Sequence, residues 1–328
     1  MIRRPAIVLA AALGGSGCFI SLGNPLAVLQ GERPLEETTV EGKGHAKVLL
    51  VEISKLITDV PSKRALGLVE EESTVARIQS ELKKAADDRR VRALVLRINS
   101  PGGGATASDQ VYGELMRFKK EHGIPVVAAL GDLAASGGYY VACAADRIVA
   151  QPTTVTGSIG TIMLNLNVEG LLGKIGVRAE SFKAGAHKDM LSPFRGATAE
   201  ERRMVQGILD RLHTRFVTIV RESRPKLDTA HLAQLTDGRI VDATQALAAG
   251  LVDQIGDLHE AIAAAKGAAQ VEEARVVMYR RPDETRENIY SLARATRGMP
   301  LQVNLLPVDL GMLAGSGPRF MYLWAPGL

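Results

Sequence analysis

The sequence has little from which a metal site, a disulfide framework or a nucleic-acid surface could be built. Its 328 residues include two cysteines, six histidines and 4% aromatic residues. Two cysteines cannot form a disulfide framework or a four-ligand zinc site, and no two histidines have i, i+4 spacing, so we expect no metal. The net charge of +4 comes without a dense basic stripe, which argues against a nucleic-acid partner. The remaining composition, 46% hydrophobic and 23% charged, is that of an ordinary globular protein.

The first 29 residues have the pattern of a targeting segment. Arg3 and Arg4 precede the apolar run Ala6–Leu13, and no charged residue then occurs before Glu32. A basic start, a short apolar run and small residues are typical of a secretory signal. The Gly-Ser-Gly that precedes Cys18 resembles a bacterial lipoprotein box, which makes Cys18 the candidate for lipidation. Two alternatives stay open, an uncleaved membrane anchor and a cleaved soluble product, and all three direct the protein to the membrane or beyond it.

Residues 30–46 are polar and aperiodic, which predicts a linker. Apolar runs then alternate with amphipathic segments. The predicted strands are Lys47–Ile57, Val91–Ile98, Ile124–Leu130 and Arg147–Gln151, and the predicted helices are Ser73–Asp88, Thr106–His122, Ser136–Ala145 and Thr198–Ser223. Continuous apolar strands between helices indicate a parallel sheet buried on both faces. We expect the folded domain to cover residues 47–270. Residues 271–328, Arg-rich and then apolar, are expected to be a C-terminal extension resting on the domain, on a neighbouring subunit or on anionic lipid.

Glycine and small residues follow three of the strands, in Asn99–Gly104, Asp132–Tyr140 and Thr156–Gly160. The carboxyl ends of parallel strands are where ligands bind. Ser136 would stand at the start of a helix, where free N–H groups and partial positive charge favour a developing oxyanion. The alternative is that Ser136 only caps the helix.

A nucleophilic serine needs a base. The G-x-S-x-G motif does not occur in the sequence, which argues against an α/β-hydrolase triad. Lys188 is the candidate base, because a neutral lysine can serve as one when apolar groups surround it. Met190, Leu191 and Phe194 are expected to supply those surroundings. The alternative is a solvated loop lysine.

Five motifs in order then make the sequence similar to a known family. They are RINSPGG at Arg97–Gly103, ASGGYY at Ala135–Tyr140, TGSIG at Thr156–Gly160, KDMLSPF at Lys188–Phe194 and GLVD at Gly250–Asp253. Together they resemble the bacterial signal peptide peptidase A (SppA) family, serine proteases with a Ser–Lys dyad. The resemblance implies an α/β fold of the ClpP/crotonase-like class, a repeated β-β-α superhelix with a largely parallel buried sheet, here in a single copy.

The resemblance also implies roles for individual residues. Ser136 matches the nucleophile, Lys188 the general base, Gly103 and Gly137 the oxyanion N–H donors, and Ser158 a hydroxyl that orients the lysine. His187 and Asp189 match no catalytic role, and neither a metal nor a cofactor is implied.

We therefore expect a membrane-associated serine endopeptidase that cleaves hydrophobic peptides, such as remnant signal peptides, through shallow apolar pockets suited to Leu and Ala. The expected location is the cell membrane, with the catalytic domain on the extracytoplasmic side. The family implies a homo-oligomeric ring whose subunits complete one another's sites. One alternative is a non-catalytic exported ring that binds hydrophobic peptides or scaffolds membrane partners. A second alternative is a crotonase-type acyl-CoA enzyme, which would need a carboxylate base and access to CoA.

Overall fold

The structure is a computed structural model that describes residues 34–64, 69–227, 229–282, 284–285, 287–290, 294–295, 319–324 and 326. The predicted targeting segment, with Cys18, lies outside the described residues.

Fifteen strands and eight helices occur in this described part of the chain. The strands are β1 Glu36–Glu41, β2 Ala46–Ile57, β3 Ser62–Arg64, β4 Val69–Glu71, β5 Val91–Gly104, β6 Val126–Ala135, β7 Arg147–Ala150, β8 Val155–Gly157, β9 Ile162–Met163, β10 Ile240–Asp242, β11 Gln254–Ile255, β12 Ala274–Arg280, β13 Glu284–Thr285, β14 Arg294–Ala295 and β15 Phe320–Leu323. The helices are α1 Thr74–Ala86, α2 Ala105–His122, α3 Gly137–Ala142, α4 Glu169–Lys174, α5 Ala199–Ser223, α6 Thr229–Leu235, α7 Ala243–Ala248 and α8 Leu258–Ala268.

The main sheet has the strand order β1-β12-β2-β5-β6-β7-β11. Every neighbouring pair from β12 to β11 is parallel, and only the edge strand β1 runs antiparallel along this path. Beyond the ends of β5 and β6 the sheet continues with shorter strands. There β8 pairs with β6, β10 pairs with β8, and β15 pairs with both β5 and β9. This largely parallel sheet with crossover helices is the α/β class that the sequence predicts.

The sheet is covered on both faces, which is why its central strands read as continuous apolar runs. Leu49 and Val51 of β2 pack on one face against a core that includes residues of α1, α2, α3 and α5. Val48 and Leu50 pack on the other face, where α8 supplies Leu258 and neighbouring residues.

All of the predicted strands and helices are present, with shifted ends. The sequence predicts a strand that ends at Ile98, whereas β5 continues to Gly104. The added residues are part of the strand because they have pairing partners on both sides. Gly103 pairs with Ile57 of β2 and with Tyr322 of β15. Helix α5 begins with a capping box, in which the Thr198 hydroxyl accepts from the Glu201 N–H and the Glu201 carboxylate accepts from the Thr198 N–H.

The structure corrects both boundaries of the predicted domain. Residues 36–41, predicted to be linker, form β1, and residues 274–280, predicted to belong to the extension, form β12 inside the main sheet. The sequence of β1, EETTVE, is polar because the strand lies at an edge and is partly exposed. Such a strand lacks the apolar run by which buried strands are predicted.

An ion pair between the buried Arg224 and the more exposed Asp253 fixes the end of α5 to the sheet. The Arg224 guanidinium donates two hydrogen bonds to the Asp253 carboxylate, at 2.9 and 2.6 Å, and a third to the Gly250 carbonyl. Asp253 also accepts from the Ile148 N–H of β7 at 2.8 Å. These contacts give the GLVD motif a structural role, since it joins the last turn of α5 to β7.

We predict that Asp253→Asn lowers the free energy of unfolding by about 2 kcal/mol, because Arg224 stays buried without its counter-charge. Equilibrium urea denaturation measures the change. The matched control is Asp237→Asn, which breaks the exposed ion pair with Arg239 and should cost less than about 0.5 kcal/mol. Equal losses in the two variants would contradict the role assigned to the pair of Arg224 and Asp253.

Candidate active site

Ser136 lies at the turn between β6 and α3 in a conformation that is uncommon for a serine. Its backbone has φ 53° and ψ −116°, and the residue is 1% exposed. Its N–H donates to the Gly157 carbonyl at 2.8 Å, which ties the turn to β8. The side chain accepts no capping hydrogen bond from α3, so it does not act as a simple helix cap. A non-glycine residue at such a positive φ stores roughly 1–3 kcal/mol of strain, a feature that clusters at functional sites.

Two glycine segments meet beside this serine. A Cβ placed on Gly102, whose φ is +105°, would lie 2.7 Å from the Gly137 nitrogen, so a side chain has no room there. Gly137 is the first residue of α3, and its N–H is among those without an intrahelical partner. Gly103 follows Gly102 directly in β5. The structure therefore brings Ser136 and the two predicted oxyanion donors, Gly103 and Gly137, into one site.

Ser158 belongs to the same site. It follows Gly157, the residue that accepts the hydrogen bond from Ser136, and it is 6% exposed. Its own backbone has φ 50°, and its N–H donates to the Arg239 carbonyl at 2.7 Å. Its role toward a lysine stays a prediction.

Lys188 does not join these residues within one chain. It lies in the segment 164–197, which we call the arm, between β9 and the start of α5. No residue of the arm is buried, Lys188 is exposed, and it forms no hydrogen bond with Ser136. Phe194, expected to shield the lysine, is 50% exposed. The expectation that the neighbouring apolar residues enclose Lys188 is therefore incorrect for the single chain.

The base of the arm is fixed to α5 by charged groups. The Arg195 guanidinium donates to the Asp189 carboxylate at 2.7 and 2.9 Å and to Glu201 at 2.9 Å. Asp189 also accepts from Lys183 and Ser181. Hydrogen bonds from Arg195 hold the pKa of Asp189 well below its usual range, and they lower that of Glu201 to about 2. Asp189, for which the sequence suggests no role, thus positions the loop that carries Lys188.

Sequence reasoning missed two components of the site. One is the salt bridge between Arg195 and Asp189. It joins residues six positions apart in an irregular loop, where the sequence has no helical or strand periodicity that would predict the contact. The other is β15, which pairs with Gly102–Gly104 and so borders the two glycine segments. The run FMYLW at 320–324 was a usable signal, because short apolar aromatic runs bounded by glycine and proline are typical of strands.

Two general features of the described residues bear on function. They contain no group of three or more His, Cys, Asp or Glu side chains placed to hold a metal ion. None of their helices is both long enough and apolar enough to cross a bilayer.

Comparison with known proteins assigns a class to this arrangement. The pattern described as Peptidase family S49 matches residues 118–272. The putative signal peptide peptidase SppA of Enterococcus faecium is 37% identical over 245 residues, which cover 75% of this chain and 70% of that protein. A putative protease of a Synechocystis species is 34% identical over 229 residues, covering 70% of this chain and 80% of that protein. A solved structure of a ClpP1 mutant from Listeria monocytogenes has 16% identity and a TM-score of 0.41, covering 65% of this chain and 94% of that one.

The sequence relatives make the chain a peptidase. It belongs to the SppA family of signal peptide peptidases, within peptidase family S49. The family suggested by the five motifs is thereby confirmed, and the largely parallel sheet is of the expected α/β class.

The backbone of Ser136 generates a prediction about stability. Ser136→Gly should be more stable to urea than Ser136→Ala by about 1 kcal/mol, because glycine adopts the positive φ without strain. The control is Ser80, in the middle of α1. There the order should reverse, with Ser80→Gly less stable than Ser80→Ala by about 1 kcal/mol. An Ala variant at 136 as stable as the Gly variant would show that this turn is not strained.

The Arg195 contact generates a prediction about pH. The folded-state pKa values of Asp189 and Glu201 are depressed, so their stabilising contribution is present near neutral pH. The contribution of Glu201 is lost as the pH falls from about 4 toward about 2, whereas that of Asp189 persists further into acid because its folded-state pKa is lower still. Arg195→Gln should therefore lower the free energy of unfolding at neutral pH, and its deficit relative to wild type should shrink across that acid range. Urea denaturation at a series of pH values measures it, with Arg202→Gln on the exposed side of α5 as control. A deficit that stays constant in acid would rule out an ionic origin.

Proposed function

We propose that this peptidase is a serine endopeptidase with a Ser136–Lys188 dyad. The observation that carries the proposal is the turn at Ser136. A buried serine in a strained conformation follows a sheet strand, opens a helix, and has two glycine segments against it. Ordinary packing would not maintain a positive φ at a serine, whereas exposing a nucleophile at a sharp strand-to-helix turn gives the strain a purpose.

The proposed mechanism assigns each group one task. The Ser136 hydroxyl attacks the carbonyl carbon of the scissile peptide as Lys188 takes its proton. The N–H groups of Gly103 and Gly137 donate to the oxyanion of the tetrahedral intermediate, and such donors each contribute about 3–4 kcal/mol. Lys188 then gives the proton to the leaving amine, and a water activated by the same lysine hydrolyses the acyl-enzyme.

The position of Lys188 makes a second subunit part of the proposal. The arm exposes six large apolar side chains, at Leu166, Leu171, Ile175, Val177, Phe182 and Phe194. An apolar surface of this kind, free of packing within its own chain, is typical of an interface. We infer that the arm lies on a neighbouring copy in a homo-oligomeric ring. Its apolar residues are covered there, and Lys188 reaches the Ser136 of that neighbour.

The proposed substrates are hydrophobic peptides, including remnants of signal peptides. The support is the name of the Enterococcus faecium relative and the end of β5 beside Ser136, which pairs with an extended segment in this structure. A membrane-associated location on the extracytoplasmic side, with Cys18 as a lipidation site, is part of the same proposal and rests on the sequence of residues 1–29. The alternative is a ring that binds peptides without cutting them. A wild-type protein without peptidase activity would favour this alternative.

Mixing two inactive variants tests the dyad and its sharing between subunits. Ser136→Ala and Lys188→Ala should each reduce turnover of a fluorogenic apolar peptide about a thousandfold or more. Co-expressed in equal amounts, they should recover about a quarter of wild-type activity. Half of the subunits keep Ser136, and half of their neighbours keep Lys188 in a cyclic assembly.

The matched control is Lys174→Ala, an exposed lysine on the same arm, which should keep wild-type turnover. Two inactive variants that never complement would place the dyad within one chain and refute the shared site. A Lys188→Ala variant as active as wild type would refute the lysine base itself.

A further inference from the structure

Ser100 is a buried serine of β5 to which the proposed mechanism assigns no task. The residue is 0% exposed and lies two positions before Gly102 in the sequence NSPGG. It pairs in register with Ala134 of β6, the strand that leads to Ser136. A buried hydroxyl needs hydrogen-bond partners, and those of Ser100 lie in the loop that carries one of the proposed oxyanion donors.

The Ser100 hydroxyl joins two backbone groups. It accepts a hydrogen bond from the Gly102 N–H at 3.1 Å and donates one to the Lys55 carbonyl of β2. The Gly102 carbonyl lies 3.4 Å from the hydroxyl oxygen and is the more distant of its two acceptors. The hydroxyl therefore connects the turn at Gly102 to the neighbouring strand.

The Lys55 carbonyl belongs to an irregular part of β2. The pairing between β2 and β5 shifts register between Ser54 and Leu56, and Lys55 has φ 62° at that point. Gly102, at the other end of the connection, has φ +105°. Such backbone conformations persist where the surrounding structure holds them. The hydrogen bonds of Ser100 hold these two irregular positions against each other.

This connection determines which amide of the loop remains for a substrate. Pro101 has no N–H, and the N–H of Gly102 is bound by Ser100, so Gly103 carries the next amide along the loop. The Gly103 N–H lies in the planar peptide unit between Gly102 and Gly103. Glycine by itself allows that unit to rotate over a wide range. The hydrogen bond from the Gly102 N–H to Ser100 restricts the rotation.

The second proposed donor, Gly137, is held by a different serine. A Cβ on Gly137 would overlap the hydroxyl oxygen of Ser108, a buried residue of α2. That hydroxyl donates to the Gly104 carbonyl at 2.9 Å, which fixes it at the start of its own helix. Loss of the Ser100 hydroxyl is therefore expected to displace one donor and to leave the other in place.

We propose that Ser100 is a positioning residue of this protease, whose hydroxyl holds the Gly102–Gly103 peptide so that the Gly103 N–H faces the developing oxyanion. The inference rests on the proposed function, since it adds a residue to the proposed oxyanion site. Complete loss of an oxyanion donor costs about a hundredfold to a thousandfold in kcat, and a misdirected donor should cost less. We expect Ser100→Ala to lower kcat about thirtyfold and to change KM by less than about twofold, because the donor acts mainly in the transition state.

The test compares full chains that carry Ser100→Ala or Ser100→Cys with wild type. A thiol fills the space of the hydroxyl but is a weak hydrogen-bonding group. Both variants should therefore lose the same activity if the hydrogen bonds are what matters. Turnover of a fluorogenic apolar peptide gives kcat and KM, and urea denaturation shows that each variant is folded. Ser100→Cys carries the test alone should the alanine variant fail to fold.

Thr154→Val is the matched control. The Thr154 hydroxyl is as buried as that of Ser100 and donates to the Gly131 carbonyl at 2.7 Å, so it binds neither glycine segment. Its removal should lower stability to urea by a similar amount and keep kcat within about twofold of wild type.

A transition-state analogue gives a second measurement. A peptide boronate, which forms a tetrahedral adduct with a nucleophilic serine, should bind Ser100→Ala about thirtyfold more weakly than wild type. The corresponding peptide amide, which forms no adduct, should bind both proteins equally. A purely structural defect would weaken the binding of both ligands together.

A loss of kcat shared by the two Ser100 variants, with KM unchanged, supports the proposal. Wild-type activity in Ser100→Cys, or an equal loss in Thr154→Val, would overturn it and leave the protease standing. If wild type neither cuts the peptide nor binds the boronate, the proposed function fails, and hydrogen exchange measured by mass spectrometry decides the role of Ser100. The Gly102 amide should then exchange about tenfold faster in Ser100→Ala than in wild type or Thr154→Val, and an unchanged rate would overturn the positioning role as well.

Discussion

The close approach of the Gly102 backbone to the amide of Gly137 is the constraint on which the site depends. With 2.7 Å between an ideal Cβ at one residue and the nitrogen of the other, this contact admits no side chain. It holds the end of β5 against the start of α3 and thereby fixes two backbone N–H donors beside one serine. Because the donors are backbone groups of a strand and a helix, the sheet itself positions them, and no flexible side chain has to be ordered during a reaction.

The same contact explains why the serine is strained. The chain leaves β6 at Ala135 and must enter α3 at Gly137, so the whole change of direction falls on one residue. The hydrogen bond from the Ser136 N–H to Gly157 fixes that residue from the other side. The fold therefore over-determines the backbone at Ser136, which is the condition under which a strained conformation persists. The base is treated differently, since Lys188 lies on an arm that has no buried residue and is fixed to α5 by charged groups, chiefly Arg195. In the proposed dyad, the backbone of Ser136 is fixed within its own chain, whereas Lys188 would acquire its surroundings from the neighbouring subunit.

The sequence predicts the parts of this structure that are buried within one chain. Strands β2, β5 and β6 and helices α1, α2 and α5 follow from apolar runs and periodic spacing, because their cores lie within the domain. The strand-end position of Ser136 follows from the same pattern. The polar edge strand β1 does not, since half-exposed strands carry no continuous apolar signal. The surroundings of Lys188 could not be predicted either. The apolar residues Met190, Leu191 and Phe194 occur next to it in sequence, but none of them is buried, and proximity along a loop does not fix which side chains face one another.

Strand β15 covers two backbone edges at the candidate site, the end of β5 and the short strand β9. A protease that binds its substrate as an added strand must leave the end of β5 and the short strand β9 with unpaired backbone groups. Such an edge is prone to pair with any extended segment. In this chain the segment is its own C-terminus, which pairs along both edges and buries Tyr322 among Tyr140 and Phe216. Strand β15 thus supplies hydrogen-bond partners to backbone groups that would otherwise be open to any extended segment.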